Sequence, residues 1–172
     1  MKILGIDPGY AILGYGAINM EGSKFSLCGY GTITTASGVN MPDRLKCLYT
    51  ELMDVIQEYE PDVASLEELF FNSNAKTAIM VGQARGAVIL ACVNSGLEIC
   101  EYTPLQIKQG LTGYGRAEKT QMQAMVKNIL RLKEIPRPDD AADALAAAIC
   151  HGHSSGYRRR FQEKLHGSAH VR

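Results

Sequence analysis

Four acidic residues stand where a folded chain can gather them: Asp7, Glu67, Asp140 and Asp143. Asp7 ends the apolar run Lys2-Ile-Leu-Gly-Ile-Asp7 and is followed at once by the turn pair Pro8-Gly9. Glu67 ends a second apolar run, Val63-Ala-Ser-Leu-Glu67. Asp140 and Asp143 open an alanine-rich stretch, and their spacing of three puts them on one helical face. Carboxylates at the ends of two strands, joined by a helical pair, offer hard oxygen donors for divalent metal and phosphodiester chemistry. With no partnered Cys/His set beside them, they suit magnesium or manganese rather than zinc.

Each acid also has an ordinary reading. Asp before Pro-Gly often hydrogen-bonds the turn that follows it. A carboxylate ending a buried apolar strand is nonetheless costly unless something pairs with it. Glu67 has Glu68 beside it, and strand alternation sends the two to opposite faces. After Pro136 and Pro138, Asp139 or Asp140 is a natural helix cap. Capping leaves Asp143 unexplained, and like charges one turn apart repel unless a cation lies between them. The tract Cys150-His151-Gly-His153 has no second ligand pair and reads as the end of a helix.

A positive surface accompanies the acids. Between Gln106 and Lys133 lie Lys108, Arg116, Lys119, Lys127, Arg131 and Lys133 against the single acid Glu118. The last three read as a solvated helix face. Lys108, Arg116 and Lys119 differ, because the glycines of Gly113-Tyr114-Gly115-Arg116 let backbone approach a phosphate that the cations neutralise. Phe70 and Phe71 follow the Glu67 strand; one reads as core and the other as a platform for an unpaired base.

Position depends on the elements around these residues. Apolar runs predict strands over 2–7, 12–19 and 25–34, joined by short turns into an antiparallel meander. A helix from Pro42-Asp43 has a 3.6-residue period through Leu45, Leu48, Leu52, Val55, Ile56 and Tyr59, and Pro61 stops it. A strand over 62–67, a helix over 74–94 with a small-residue groove (Ala75, Ala78, Gly82, Gly86) and a strand over 97–102 follow. A short helix from Pro104, one over 118–132 and a last one over 139–151 complete the chain. Meander followed by helix–strand alternation means an α/β mixed sheet with helices on its faces.

The bulk numbers fit one domain. A chain of 172 residues buries roughly 70 per cent of its unfolded surface. Net charge is zero, but residues 153–172 hold five cations against Glu163, so the rest of the chain is acidic. Residues 1–155 are expected to form the domain and 156–172 a basic, flexible tail. Five cysteines without a Cys-x-x-Cys pattern read as reduced, mostly buried thiols of a cytoplasmic protein. No charged leader precedes the first strand, and no apolar run approaches the roughly 18 residues of a membrane span.

Together Ile6-Asp7-Pro8-Gly9 with Gly14-Tyr15-Gly16, Leu66-Glu67, Gly82-Gln83-Ala84-Arg85-Gly86, Ala117-Glu118-Lys119 and Asp140-Ala-Ala-Asp143 resemble the RuvC family. These are crossover-junction endodeoxyribonucleases that resolve Holliday junctions in recombination and repair. The likeness covers about residues 1–155, in the family's order and spacing. It implies an RNase H-like five-stranded sheet and a homodimer that nicks two strands of a four-way junction symmetrically. It also implies hydrolysis with one or two Mg2+ ions, Mn2+ substituting, beside the RuvA–RuvB motor. By position Asp7, Glu67, Asp140 and Asp143 match the metal-binding acids, with Glu67 rather than Glu68 the family glutamate; some members carry His at the position of Asp140. Phe70 matches the aromatic near the junction centre, Lys108 and Lys119 match DNA-contacting cations, and 74–94 matches the dimer-forming helix.

Two other classes share features. An actin-like or sugar-kinase-like ATPase opens with a similar strand and turn, but needs a second domain and phosphate loop that 172 residues do not hold. A non-catalytic junction-binding protein of the same fold predicts a broken acidic set, and here the set is intact.

Overall fold

The computed structural model describes the backbone of residues 1–68 and 75–167 and the side chains of 1–68 and 77–155. Strands β1 (Lys2–Asp7), β2 (Ile12–Glu21) and β3 (Lys24–Thr34) form the expected antiparallel meander. Strands β4 (Val63–Glu67) and β5 (Glu98–Tyr102) join in parallel on the other side of β1, in the order β3-β2-β1-β4-β5. Central β1 is apolar because both of its faces are covered: Ile3, Leu4 and Ile6 are each 0% exposed.

Helices α1 (Met41–Tyr59) and α2 (Ala75–Asn94) cover one face. There Leu48, Leu52, Val55 and Ile56 pack with Leu4, Ile6, Leu13, Val88 and Cys92. Asn40 caps α1 by accepting the Asp43 amide at 3.0 Å. Helices α3 (Pro104–Thr112), α4 (Lys119–Ile129) and α5 (Asp139–Gly167) cover the other face. Ile3, Ile18, Ile107, Val126, Leu145 and Ile149 form that core. Each buried Leu or Ile contributes about 1.5–3 kcal/mol. Thr103 and Gln106 build a reciprocal capping box at the start of α3.

The alanines of α5 have a positional purpose. A Cβ on Gly5 would lie 1.9 Å from the Ala144 carbonyl oxygen, and one on Gly14 would lie 2.0 Å from that of Asp140. Only glycine lets the helix backbone lie this close to β1 and β2. Gly14 is also the cross-strand partner of Asp7. The close approach therefore delivers the start of α5 to the end of β1.

Four expectations change. Helix α4 stops at Ile129 rather than 132, because Leu130 closes it and Arg131 takes a left-handed φ of 54°. Helix α5 continues to Gly167 instead of ending near 151; no proline follows Pro138, and Arg, Gln, Glu, Lys and Leu are good helix formers. A stretch with a span's length and composition does exist: Thr77–Asn94 has a mean hydropathy of 1.3 over 18 residues, of which 22% are buried. Arg85 is its lone charge, and Ile79, Leu90 and Val93 face outward at 64, 53 and 57% exposure. All five cysteines are free, but only Cys92 and Cys150 are fully buried.

Candidate active site

Asp7 and Glu67 leave the same edge of the sheet. The parallel ladder pairs Ile6 with Leu66, so each acid is the next residue out on its strand. Helix α5 brings Asp140 and Asp143 to that edge over Gly14. Burial pushes the Asp7 carboxyl up to about 7, and the charges of Glu67, Asp143 and Asp140 add to the rise. Lys119 opposes it. Burial and then the Asp143 charge raise Glu67, while Lys108 and Lys119 pull it back. Burial also holds Asp143 high, against a hydrogen bond from Lys119. The other three acids singled out by sequence thus all bear on the charge of Asp7.

Lys119 closes the cluster from the start of α4. Its Nζ lies 3.1 Å from Asp143 Oδ2 and 3.4 Å from Asp139 Oδ2. Burial works against this ammonium, but Asp143 and Asp139 together hold its pKa above the ordinary value. A cavity of about 190 Å³ lies beside the pair, lined by Glu67, Lys108, Lys119, Asp143, Ile107 and Met122. Lys108 reaches the same cavity from α3. Arg116 is exposed in the loop ahead of α4, and Phe70 lies outside the described residues.

Comparison with known proteins decides the family. The family model described as "Crossover junction endodeoxyribonuclease RuvC" matches residues 3–151. A relative with that description from Alkaliphilus oremlandii is 57% identical over 164 residues, covering 95% of this chain and 100% of its own. The chain belongs to the RuvC family. A solved structure described as T. thermophilus RuvC in complex with Holliday junction substrate superposes with a TM-score of 0.88 at 35% identity. It covers 92% of this chain and 96% of that one. The yeast mitochondrial Holliday junction resolvase Ydc2, 14% identical with a TM-score of 0.65 over 95% of this chain and 83% of its own, shares the fold. The mixed sheet is thus the RNase H-like one that the resemblance implied.

In this RuvC-family chain the donors fit a hard divalent cation by their chemistry. Buried carboxylates repel one another until a positive charge lies among them, and Lys119 already supplies one against Asp143. Among the described residues, no three Asp, Glu, His or Cys side chains close on one point at ligand distance. The histidine tract takes no part: His151 Nδ1 is 2.9 Å from Tyr102 Oη, and His153 Nδ1 is 2.7 Å from the Gly110 carbonyl oxygen.

Two residues escaped the sequence reading. Asp139, treated only as a cap, accepts from Gln123 Nε2 at 3.0 Å and also binds Arg137 and Lys119. Its place beside Asp140 was the one available signal. Arg85 stands in a motif to which the sequence assigns no role, yet its Nη1 donates to the Glu67 carbonyl oxygen at 2.7 Å.

Proposed function

We propose that this chain is a structure-selective endonuclease resolving Holliday junctions by metal-dependent hydrolysis of phosphodiester bonds in two strands. One observation carries the reading: Asp7, Glu67 and Asp143 share a charge field at one sheet edge, with Lys108 and Lys119 beside them. Family membership supplies the substrate, since the relatives are crossover-junction endodeoxyribonucleases and the T. thermophilus structure holds a Holliday junction.

Asp7, Glu67 and Asp143 would hold Mg2+, or Mn2+ in its place, as one or two ions, with Asp140 at the rim. A metal held there would supply Lewis-acid chemistry, activating water and stabilising charge on the departing 3′ oxygen. Lys119 exchanges Asp143 for a phosphate oxygen as DNA arrives, and Lys108 neutralises the backbone next to Glu67. Arg116, exposed in the preceding loop, adds attraction from farther out. Phe70 stacks on a base near the junction centre, and the basic residues after 155 attract DNA without sequence preference.

Two nicks need two sites, and α2 supports a homodimer. Ile79, Gln83, Gly86, Leu90 and Val93 recur at alternating steps of four and three along its exposed side, the spacing of a helix–helix seam. A Cβ added at Gly82 or Gly86 would meet nothing within 4 Å, leaving room for close helix packing. This outward apolar face accounts for the span-like composition of Thr77–Asn94 without a membrane. Family likeness argues for work with RuvA–RuvB, and a chromosomal substrate argues for the cytoplasm.

The test is incubation with a synthetic mobile four-way junction and Mg2+, beside linear duplex and single strands. Paired symmetrical nicks confined to the junction are expected. Equal cutting of all substrates, or cutting that needs ATP, would overturn the reading.

A further inference from the structure

We propose that Arg85 is a positioning residue for Glu67, acting from α2 on the backbone at the end of β4. This rests on Glu67 being one of the site acids.

The ladder between β1 and β4 ends at Ile6 and Leu66, so the Glu67 peptide is the first beyond it. Arg85 meets that peptide directly, with Nη1 donating to the Glu67 carbonyl oxygen at 2.7 Å. Its Nη2 donates to Glu101 Oε1 on β5. Glu101 is the register partner of Leu66. One planar fork thus ties the ends of two parallel strands to a helix, with both arms engaged in fixed geometry. On the other side of the same peptide, the Glu68 amide donates to the Tyr102 carbonyl oxygen at 2.8 Å. Holding the carbonyl sets the Glu67 ψ angle, and with it the direction in which the carboxylate leaves the strand.

Two other roles are less consistent with this geometry. The Arg85 side chain is 13% exposed and its fork is occupied, so it presents little to a phosphate. A simple staple between α2 and β5 would need only Glu101, but the shared carbonyl bond falls on the site acid itself. Arg85 also sits one residue before Gly86 of the outward seam. The helix that carries the seam is therefore the helix that braces Glu67.

The test compares R85M, R85K, E101Q and E67Q as full-length proteins on a four-way junction. R85M should lower kcat by about 10- to 100-fold, as a displaced catalytic group does. Junction Kd without metal should stay within about twofold. The Glu68 amide should exchange faster in R85M, a readout independent of cleavage. E101Q keeps the carbonyl bond and an acceptor for Nη2, so its kcat should stay within about threefold. R85K keeps the charge but cannot make both bonds, and should fall between E101Q and R85M. If R85M does not fold, the order of R85K below E101Q carries the comparison, and the reverse order overturns the proposal.

Weaker junction binding with kcat retained would make Arg85 a DNA contact and overturn the proposal. Equal losses in E101Q and R85M would reduce it to an ion-pair staple. E67Q separates the two readings. Full cleavage by E67Q would remove the site assignment itself, whereas inactive E67Q with fully active R85M would remove only the role of Arg85.

Discussion

The Lys119 ammonium lies 3.1 Å from Asp143 Oδ2, bringing a cation from α4 against an acid from α5. The side chains are 54 and 32% exposed, so the pair is open to exchange. An exposed pair of this kind contributes about 0.2–1 kcal/mol to stability, too little to explain its placement by folding alone.

Replacing Lys119 with Ala should therefore weaken junction binding much more than it lowers Tm. The salt dependence should flatten by about one unit of log–log slope, as for one lost phosphate contact. Binding titrations over a range of salt concentrations decide it; an unchanged slope would make Lys119 a partner of the acids alone.

Asp7→Asn should abolish cleavage and leave junction binding nearly intact. It should also stabilise the metal-free protein. The folded carboxyl titrates at about 7 against an ordinary value of 3.8, so the native state binds the proton more tightly than the unfolded chain. Metal-free wild type should then lose stability as pH rises from about 4 to about 7. The Asn variant should show a flatter curve and the higher Tm at pH 8. Melting curves in chelator across that range check the sign.

Leu90→Glu puts a charge in the middle of the outward seam of α2, where Leu90 is 53% exposed. The folded chain should stay intact while the proposed dimer dissociates, and the proposed paired nicking should give way to single nicks or none. Sedimentation and product analysis on a circular cruciform substrate read both effects. A stable, fully active dimer would place the interface elsewhere.

Gly14→Ala should cost stability and activity together. Its new Cβ would lie 2.0 Å from the Asp140 carbonyl oxygen, so α5 must lift from β2. Overpacking of this kind costs about 1–3 kcal/mol. The same displacement carries Asp140 and Asp143 away from Asp7, and cleavage should fall more steeply than Tm predicts. An exposed control, Gly38→Ala, has nothing within 4 Å of the added methyl and should be silent in both assays.

Much of this molecule is local, and local features are legible in a linear chain. The burial of β1 follows from an unbroken apolar run, α1 from its 3.6-residue period, and the mixed character of the sheet from a meander followed by alternation. Asp7 and Glu67 stand out in the sequence because a charge ending an apolar strand has a desolvation cost that ordinary packing does not offset. Asp140 and Asp143 stand out because two like charges share one helical face. What the chain order could not reveal was contact across distance. Lys119 on Asp143 and Asp139, Arg85 on the Glu67 carbonyl, and the seating of Asp140 over Gly14 join residues from separate elements. The same holds for the outward face of α2, which shares its composition with a buried helix. Sequence determined which residues carry charge and which segments must be covered. Only the tertiary structure decided which charges meet, because glycine and alanine set how closely the elements approach and side-chain reach does the rest.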